Sequence, residues 1–360
     1  MSSKQLHTTP FEHAYITGLL TLEHKSLREM GRKGLLPCHP HHAAYRLTLD
    51  AHPYQASLTR RLQQAPQGWA LATDEVVVPK EGPLIQGLSR IWATSEKRVV
   101  WGLRFLSLSL VAGSHDPYPL GLWPLPTEPM ATQDYPYRSP TQASLQALQR
   151  VLQTGYCPKV LLGDARMLKA STHPALLSMG IGAVHRVGKD LKVSYQGQWL
   201  RADELAARYK PGTGARYYRR FGLYAKRLPV ERAEAGAVDL LILWRGKDTG
   251  WELVVLLSSL QGAGVQEVLA YWKARWKQEV GHKGLKALGL GQCQARSYAS
   301  QLKHADLTVE GYLLLWAERQ REPSLSWRQA RERVGAWLKE RLVTELSATS
   351  PGSEQVGKVG

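Results

Sequence analysis

Apolar residues recur at helical spacing over residues 11–30 (Ala14, Leu19, Leu20, Leu22, Leu27) and again over 43–64, where the segment ends in Arg60 and Arg61. A Gly/Pro/His-rich stretch at 34–42 separates them as a loop. From Trp69 the pattern turns extended. It predicts a strand over 69–78, a turn at 79–83, and a long strand over 99–111 with 84–92 as its partner. Residues 114–140 are rich in Pro, Tyr and Trp without periodicity and read as a long surface loop. An amphipathic helix over 141–154 leads to a short buried strand at 159–163, at whose end stands Asp164. Residues 188–254 alternate short strands (192–195, 238–244) with a strongly basic stretch and interrupt what otherwise reads as one core. A strand at 251–259, one long helix at 265–286, and helices at 292–320 and 327–346 follow. The Ser/Gly-rich residues 347–360 read as a disordered tail.

These elements place the chain in the α/β class. They divide it into helical N-terminal residues 1–65, assigned to DNA binding, a first core part at 66–187, a β-rich insertion at 188–254, a second core part with C-terminal helices at 255–346, and the tail. The longest apolar stretches are broken by Arg104 in one case and by Arg245, Lys247, Asp248 and Glu252 in the other, so no membrane span is predicted. With no basic-then-apolar leader, a cytoplasmic, nucleoid-associated protein is expected. Three scattered cysteines make neither a disulfide framework nor a zinc knuckle. A formal charge of +17 changes the picture most, because so basic a surface concentrates polyanions, of which nucleic acid is the commonest.

Three acids stand where such chemistry would need them. Asp74 interrupts the apolar run Leu71-Ala-Thr-Asp-Glu-Val-Val-Val78, and Asp164 ends Val160-Leu-Leu-Gly-Asp164, the strand terminus at which open α/β sheets place ligands. A turn or N-cap aspartate is the plainer alternative for Asp164. On the late helix, Tyr271, Arg275, Glu279 and Lys286 fall within an arc of about 80° at 100° per residue. The apolar stripe Val265, Leu269, Trp272, Trp276 and Val280 lies beside that arc, so Glu279 sits at the border of the packed face. The plainer alternative there is a solvated i,i+4 pair between Arg275 and Glu279. Glu75 points to the other side of its strand and is not counted with the acids. Strands, a helix, a further strand and a late helix, with acids in these three places, indicate a core of the ribonuclease H type.

The segment 274–290 resembles the Tyr–Arg–Glu–Lys signature of bacterial insertion-sequence DDE transposases. Arg275 precedes Trp276, Glu279 follows Arg275 by four residues, and Lys286 follows Glu279 by seven, as in that family. The family's tyrosine stands three residues before the arginine, where this chain has Trp272, with Tyr271 one place earlier. Residues 74–82 with 97–102 look like the family's first aspartate block, and 160–166 like its second. The resemblance implies that Asp74, Asp164 and Glu279 bind two Mg²⁺ or Mn²⁺ ions about 4 Å apart. It implies cut-and-paste chemistry on double-stranded DNA: cleavage at terminal inverted repeats, strand transfer into a target, and a dimer in the DNA complex. Arg275 and Lys286 would then face phosphates. A nuclease of the same fold without joining activity, and a decayed DNA-binding descendant, remain alternatives.

Within 208–232 eight basic residues, among them Arg216, Arg219 and Arg220, face a single acid, Glu231, and five aromatics are interleaved. That composition suits phosphate contact and base stacking. Trp251 is a weaker candidate for stacking. The Cys38–His42 cluster cannot converge on one tetrahedral ion and reads as a polar loop, and no phosphate-binding GxxxxGK[ST] is present.

Overall fold

A computed structural model describes residues 9–48, 53–80, 84–93, 96–248 and 250–349. They form two compact units, a helical one from residues 1–53, 82–86 and 284–360 and a sheet unit from 54–81 and 87–283. These units cut across the linear segments read from the sequence: the chain's two ends share one unit, and the insertion shares the other with the acids.

The helical unit holds α1 (Pro10–Thr21), α2 (Leu27–Arg32) and α3 (Pro40–Arg46). The single helix expected over 11–30 is therefore two. Thr9 and Glu12 form a capping box that starts α1, and Ser26 caps α2 through the Glu29 amide. The expected helix over 43–64 is also two, because Pro40 and Pro53 each open a helix of their own. His39, in the polar cluster, caps α3 and stacks on His41. α1 is buried from Phe11 to Leu20 and lies against α10 (Tyr298–Arg321) and α11 (Trp327–Thr349). Arg331 on α11 donates to the Leu20 and Leu22 carbonyls at the end of α1. Because α11 continues to Thr349, residues 347–349 are helix rather than tail, and 350–360 lie outside the described residues, as do 81–83 of the expected turn.

The sheet unit opens with α4 (Pro53–Gln63), then β1 (Ala70–Pro79), β2 (Ser89–Ala93), β3 (Arg98–Val111) and β4 (Tyr118–Pro124). β4 corrects the loop expected at 114–140. Its prolines hide a strand, and they are tolerated because it pairs on one side only, with β3 across a bulge at Leu108/Ser109. Buried Arg61 of α4 donates to the Leu120 carbonyl of β4, and the Tyr118 hydroxyl donates back to the Arg61 carbonyl. α5 (Pro140–Gln153), β5 (Val160–Gly163), α6 (His173–Ser178) and β6 (Gly182–Val187) complete the first half.

Residues 188–254 contribute β7 (Lys192–Tyr195), β8 (Gln198–Arg201), α7 (Ala202–Arg208), β9 (Arg216–Tyr218), β10 (Leu223–Arg232) and β11 (Gly236–Lys247), followed by β12 (Gly250–Ser258). They do not make a separate sheet. β12 pairs antiparallel with β6, so all twelve strands form one mixed sheet: ten run in the order β2-β3-β1-β5-β6-β12-β11-β10-β7-β8, while β4 pairs with β3 and β9 with β10. The fold is mixed α/β.

The expected helix over 265–286 is broken into α8 (Val265–Arg275) and α9 (Lys277–Ala287). The amides of Trp276 and Glu279 bond three residues back, to Lys273 and Trp276, and this tightened turn re-aims the chain. α8 buries Val268 and Leu269 on a core that includes Ala72, Leu162, Leu243 and Leu256. After the turn the stripe fails: Trp276 is 49% and Val280 42% exposed. α9 packs instead through Gln278, Gly281 and Leu285. A Cβ at Gly281 would meet the Pro117 ring at 3.1 Å, so the glycine there permits close approach.

Candidate active site

β1 is buried from Ala70 through Thr73, and Asp74 is the first position where the strand opens. β5 runs parallel to β1 with Leu71 opposite Leu161 and Ala72 opposite Leu162; Asp74 and Asp164 each follow this ladder by two residues, and the Asp164 charge acts on Asp74. The chain turns sharply there. A Cβ at Gly163 would lie 3.0–3.1 Å from Leu168 and Met167, and Asp164 Oδ1 accepts the amides of Arg166 (2.8 Å) and Met167 (3.0 Å). Asp164 thus does cap a turn, but through one oxygen, with Oδ2 outside those two bonds.

The third acid arrives through a residue that sequence reasoning passed over. The fully buried Gln278 donates from its amide to the Ala72 carbonyl (3.2 Å) and to the Ser107 carbonyl (2.9 Å), and Ser107 is the β3 partner of Asp74. The first turn of α9 is thereby fastened at the level of Asp74, and Glu279, half-buried, is the next residue. On the straight helix expected from the sequence Gln278 falls opposite the apolar stripe, so no local signal marked it.

Electrostatics at Asp74 record this gathering. Burial raises its carboxyl to about 6, Arg275 pulls it down, and both Asp164 and Glu279 push it up. Arg275 is buried, its guanidinium 4.7 Å from the Trp272 ring centroid and 5.3 Å from that of Trp276, with no hydrogen-bond partner at Nε. It makes no ion pair with Glu279, since the break at Trp276 removes the continuous helix an i,i+4 pair needs. Glu75, on the opposite face, is paired with Arg104 (2.8 Å) and Arg166 (3.1 Å).

A groove of about 1080 Å³ runs from the α8–α9 junction to the strands of the insertion. Trp272, Trp276 and Phe221 line it with Lys273, Lys277, Arg220 and Arg245, and none of the three acids does. Arg220 sits over Phe221, and Arg216 packs over Tyr218, whose ring joins the core on the acids' side of the sheet. Arg219 is exposed in the turn between β9 and β10.

Other candidates fall elsewhere. Trp251 reaches across Gly246, whose Cβ position is 3.7 Å from its ring, to meet Tyr224 edge-on at 5.4 Å. Tyr224 belongs to the cluster on the other face of the sheet, away from the acids. Tyr271 is half-buried against the core and influences Lys159, which precedes β5 at the end away from Asp164. Lys286 is exposed on the last turn of α9, within the helical unit.

Among the described residues no three carboxylate, imidazole or thiolate side chains converge tightly enough to hold one metal ion. The carboxylates that act on Asp74 offer oxygen donors only, the kind a hard divalent cation takes. No helix among the described residues is long and apolar enough to cross a membrane. Compared with known proteins, the sequence matches no protein-family model and no curated protein.

Proposed function

We propose that the chain is a metal-dependent DNA transposase with a ribonuclease H-like core, cutting transposon ends and joining them to target DNA. One observation carries the reading: carboxylates from the end of β5 and from α9 both act on Asp74 of β1, beside the buried Arg275. The strand order supports it, with β4, β3 and β1 successively antiparallel and then β5 and β6 parallel to β1. Asp74, Asp164 and Glu279 would hold two Mg²⁺ or Mn²⁺ ions, which when bound polarise a scissile phosphate and activate its attacking oxygen. The chain's own residues supply the rest. Gln278 orients Glu279, Arg275 offsets the charge on Asp74, and the basic, Trp-lined groove grips the DNA backbone.

The test is cleavage and joining of DNA bearing the inverted repeats that flank the gene, with Mg²⁺ or Mn²⁺ present. Wild type should cut such ends and transfer a pre-cut 3′-OH to a target, acting as a dimer on DNA. Asp74→Ala, Asp164→Ala and Glu279→Ala should each lose cleavage and keep DNA binding. Nicking without transfer would leave a nuclease, and near-normal cleavage by any one variant would remove that residue from the site.

A further inference from the structure

The hairpin of β2 and β3 carries a surface that the proposed chemistry does not use. Arg90 stands opposite Trp101, and Trp92 opposite Val99, so these four residues share one face of the ribbon. The alternate residues Ile91, Ala93 and Val100 are buried beneath. On the outer face Trp92 is 58% exposed, Trp101 53% and Val99 49%. Two indole rings, each more than half exposed on a hydrogen-bonded ladder, make an apolar patch of the kind that marks a binding surface.

The face has a direction. The same side of β3 runs from exposed Trp101 under cover at Leu103 and Phe105, each 1% exposed, to Ser107, the partner of Asp74. Six residues at about 3.4 Å each place the rings roughly 20 Å from Asp74, about six base steps of DNA. The surroundings are basic: Arg90 is exposed at one end of the patch and Lys97 at the other, while Arg98 is engaged by Glu96.

We infer that Trp92 and Trp101 form a stacking platform for unpaired bases of DNA, on the basic outer end of the β2–β3 ribbon. Exposed indoles interleaved with cations are what single strands use, since every base has a π-face and every linkage a charge. A second copy of the chain fits less well. Two half-exposed tryptophans and one valine offer roughly 300 Å², against about 800 Å² per partner in a stable interface, and two such basic faces repel. The inference rests on reading the acids as a DNA-cutting centre, so its test is kept apart from cleavage.

The experiment measures binding of a fluorescent fifteen-nucleotide oligothymidylate and of a duplex of equal length, by anisotropy, without divalent metal. Trp92→Ala and Trp101→Ala should each weaken single-strand binding on the order of tenfold and change duplex binding less than twofold. Trp101→Phe should restore most of the loss, which separates stacking from a folding defect. Equal single-strand affinity in wild type and the double variant overturns the inference. So does a wild type that binds no single strand, or a double variant that changes only the oligomeric state seen by sedimentation, which would assign the patch to a second copy. None of these results depends on cleavage, so the transposase reading stands or falls separately.

Discussion

Changing Asp74 to Asn removes a carboxyl that the folded protein holds at about 6, against an ordinary value of 3.8. Burial is the main cause, with Asp164 and Glu279 adding to it and Arg275 opposing. A group that binds its proton more tightly when folded makes wild-type stability fall as pH rises from about 4 to about 6, and the loss persists above that window. At 1.36 kcal/mol per pH unit, the difference between 3.8 and about 6 corresponds to about 3 kcal/mol. Asparagine keeps the shape and can still accept the Glu75 amide, which bonds Asp74 Oδ1 at 2.9 Å. In chelator, Asp74→Asn should therefore match wild type near pH 4 and exceed it by about 3 kcal/mol at pH 7. For a unit of this size that is about 6–12 °C in Tm. Thermal melts of both proteins from pH 4 to 8 read the curve directly. Mn²⁺ should close the gap by stabilising wild type alone. A difference that does not change with pH, or a variant less stable at pH 7, would refute the claim that burial and the neighbouring acids raise the Asp74 carboxyl.

The histidine pair His173 and His185, joined at 2.9 Å and held down to about 4 and about 3 by burial, titrates the other way. Its contribution is full above about pH 6.5 and is lost as pH falls, by up to about 1.4 kcal/mol per pH unit for each ring. Urea unfolding of Asp74→Asn between pH 7 and 4, with the opposing carboxyl gone, should show that slope. Gln278→Ala strips the amide that fastens α9. We expect about 2 kcal/mol of destabilisation by urea unfolding and, from a misplacement of Glu279 of about 1 Å, roughly 100-fold slower cleavage at nearly unchanged DNA affinity. Affinity for duplex should fall steeply with salt, and reversing Arg216, Arg219 and Arg220 together should flatten the log–log slope by up to about 2.7. An unchanged slope in filter binding would turn that surface away from DNA.

What could be read from the residues were the features with local causes. A carboxylate interrupting Leu71–Val78 or ending Val160–Gly163 contradicts its own strand, and such contradictions mark sites. β1, β3, β5 and α5 follow from period alone. The failures share a different origin. β4 was masked by Pro117, Pro119 and Pro124, because composition cannot tell that a strand has only one neighbour. The break at Trp276 follows from how α9 docks on Ala72 and Ser107, contacts distant in sequence. Gln278 looked like an ordinary surface glutamine for the same reason. Trp251 seemed a candidate for the site until the alternation of β12 was set against the neighbouring strands, which puts it on the far face.

The pairing of β12 with β6 has a mechanical consequence. No linker separates the basic strands β9 to β12 from the strands bearing Asp74 and Asp164, because every step between them is a hydrogen-bonded ladder. Such a ladder has no hinge residue free to absorb a rotation. DNA held by Arg216 and Arg220 would be held in the same rigid frame as the acids, and its register would be set by construction rather than by closure of a lid. The same continuity makes the insertion hard to discard. Excising 188–254 would remove β11 from beside Val255–Ser258 and leave an open sheet edge three strands from Asp74, a template for pairing with other chains.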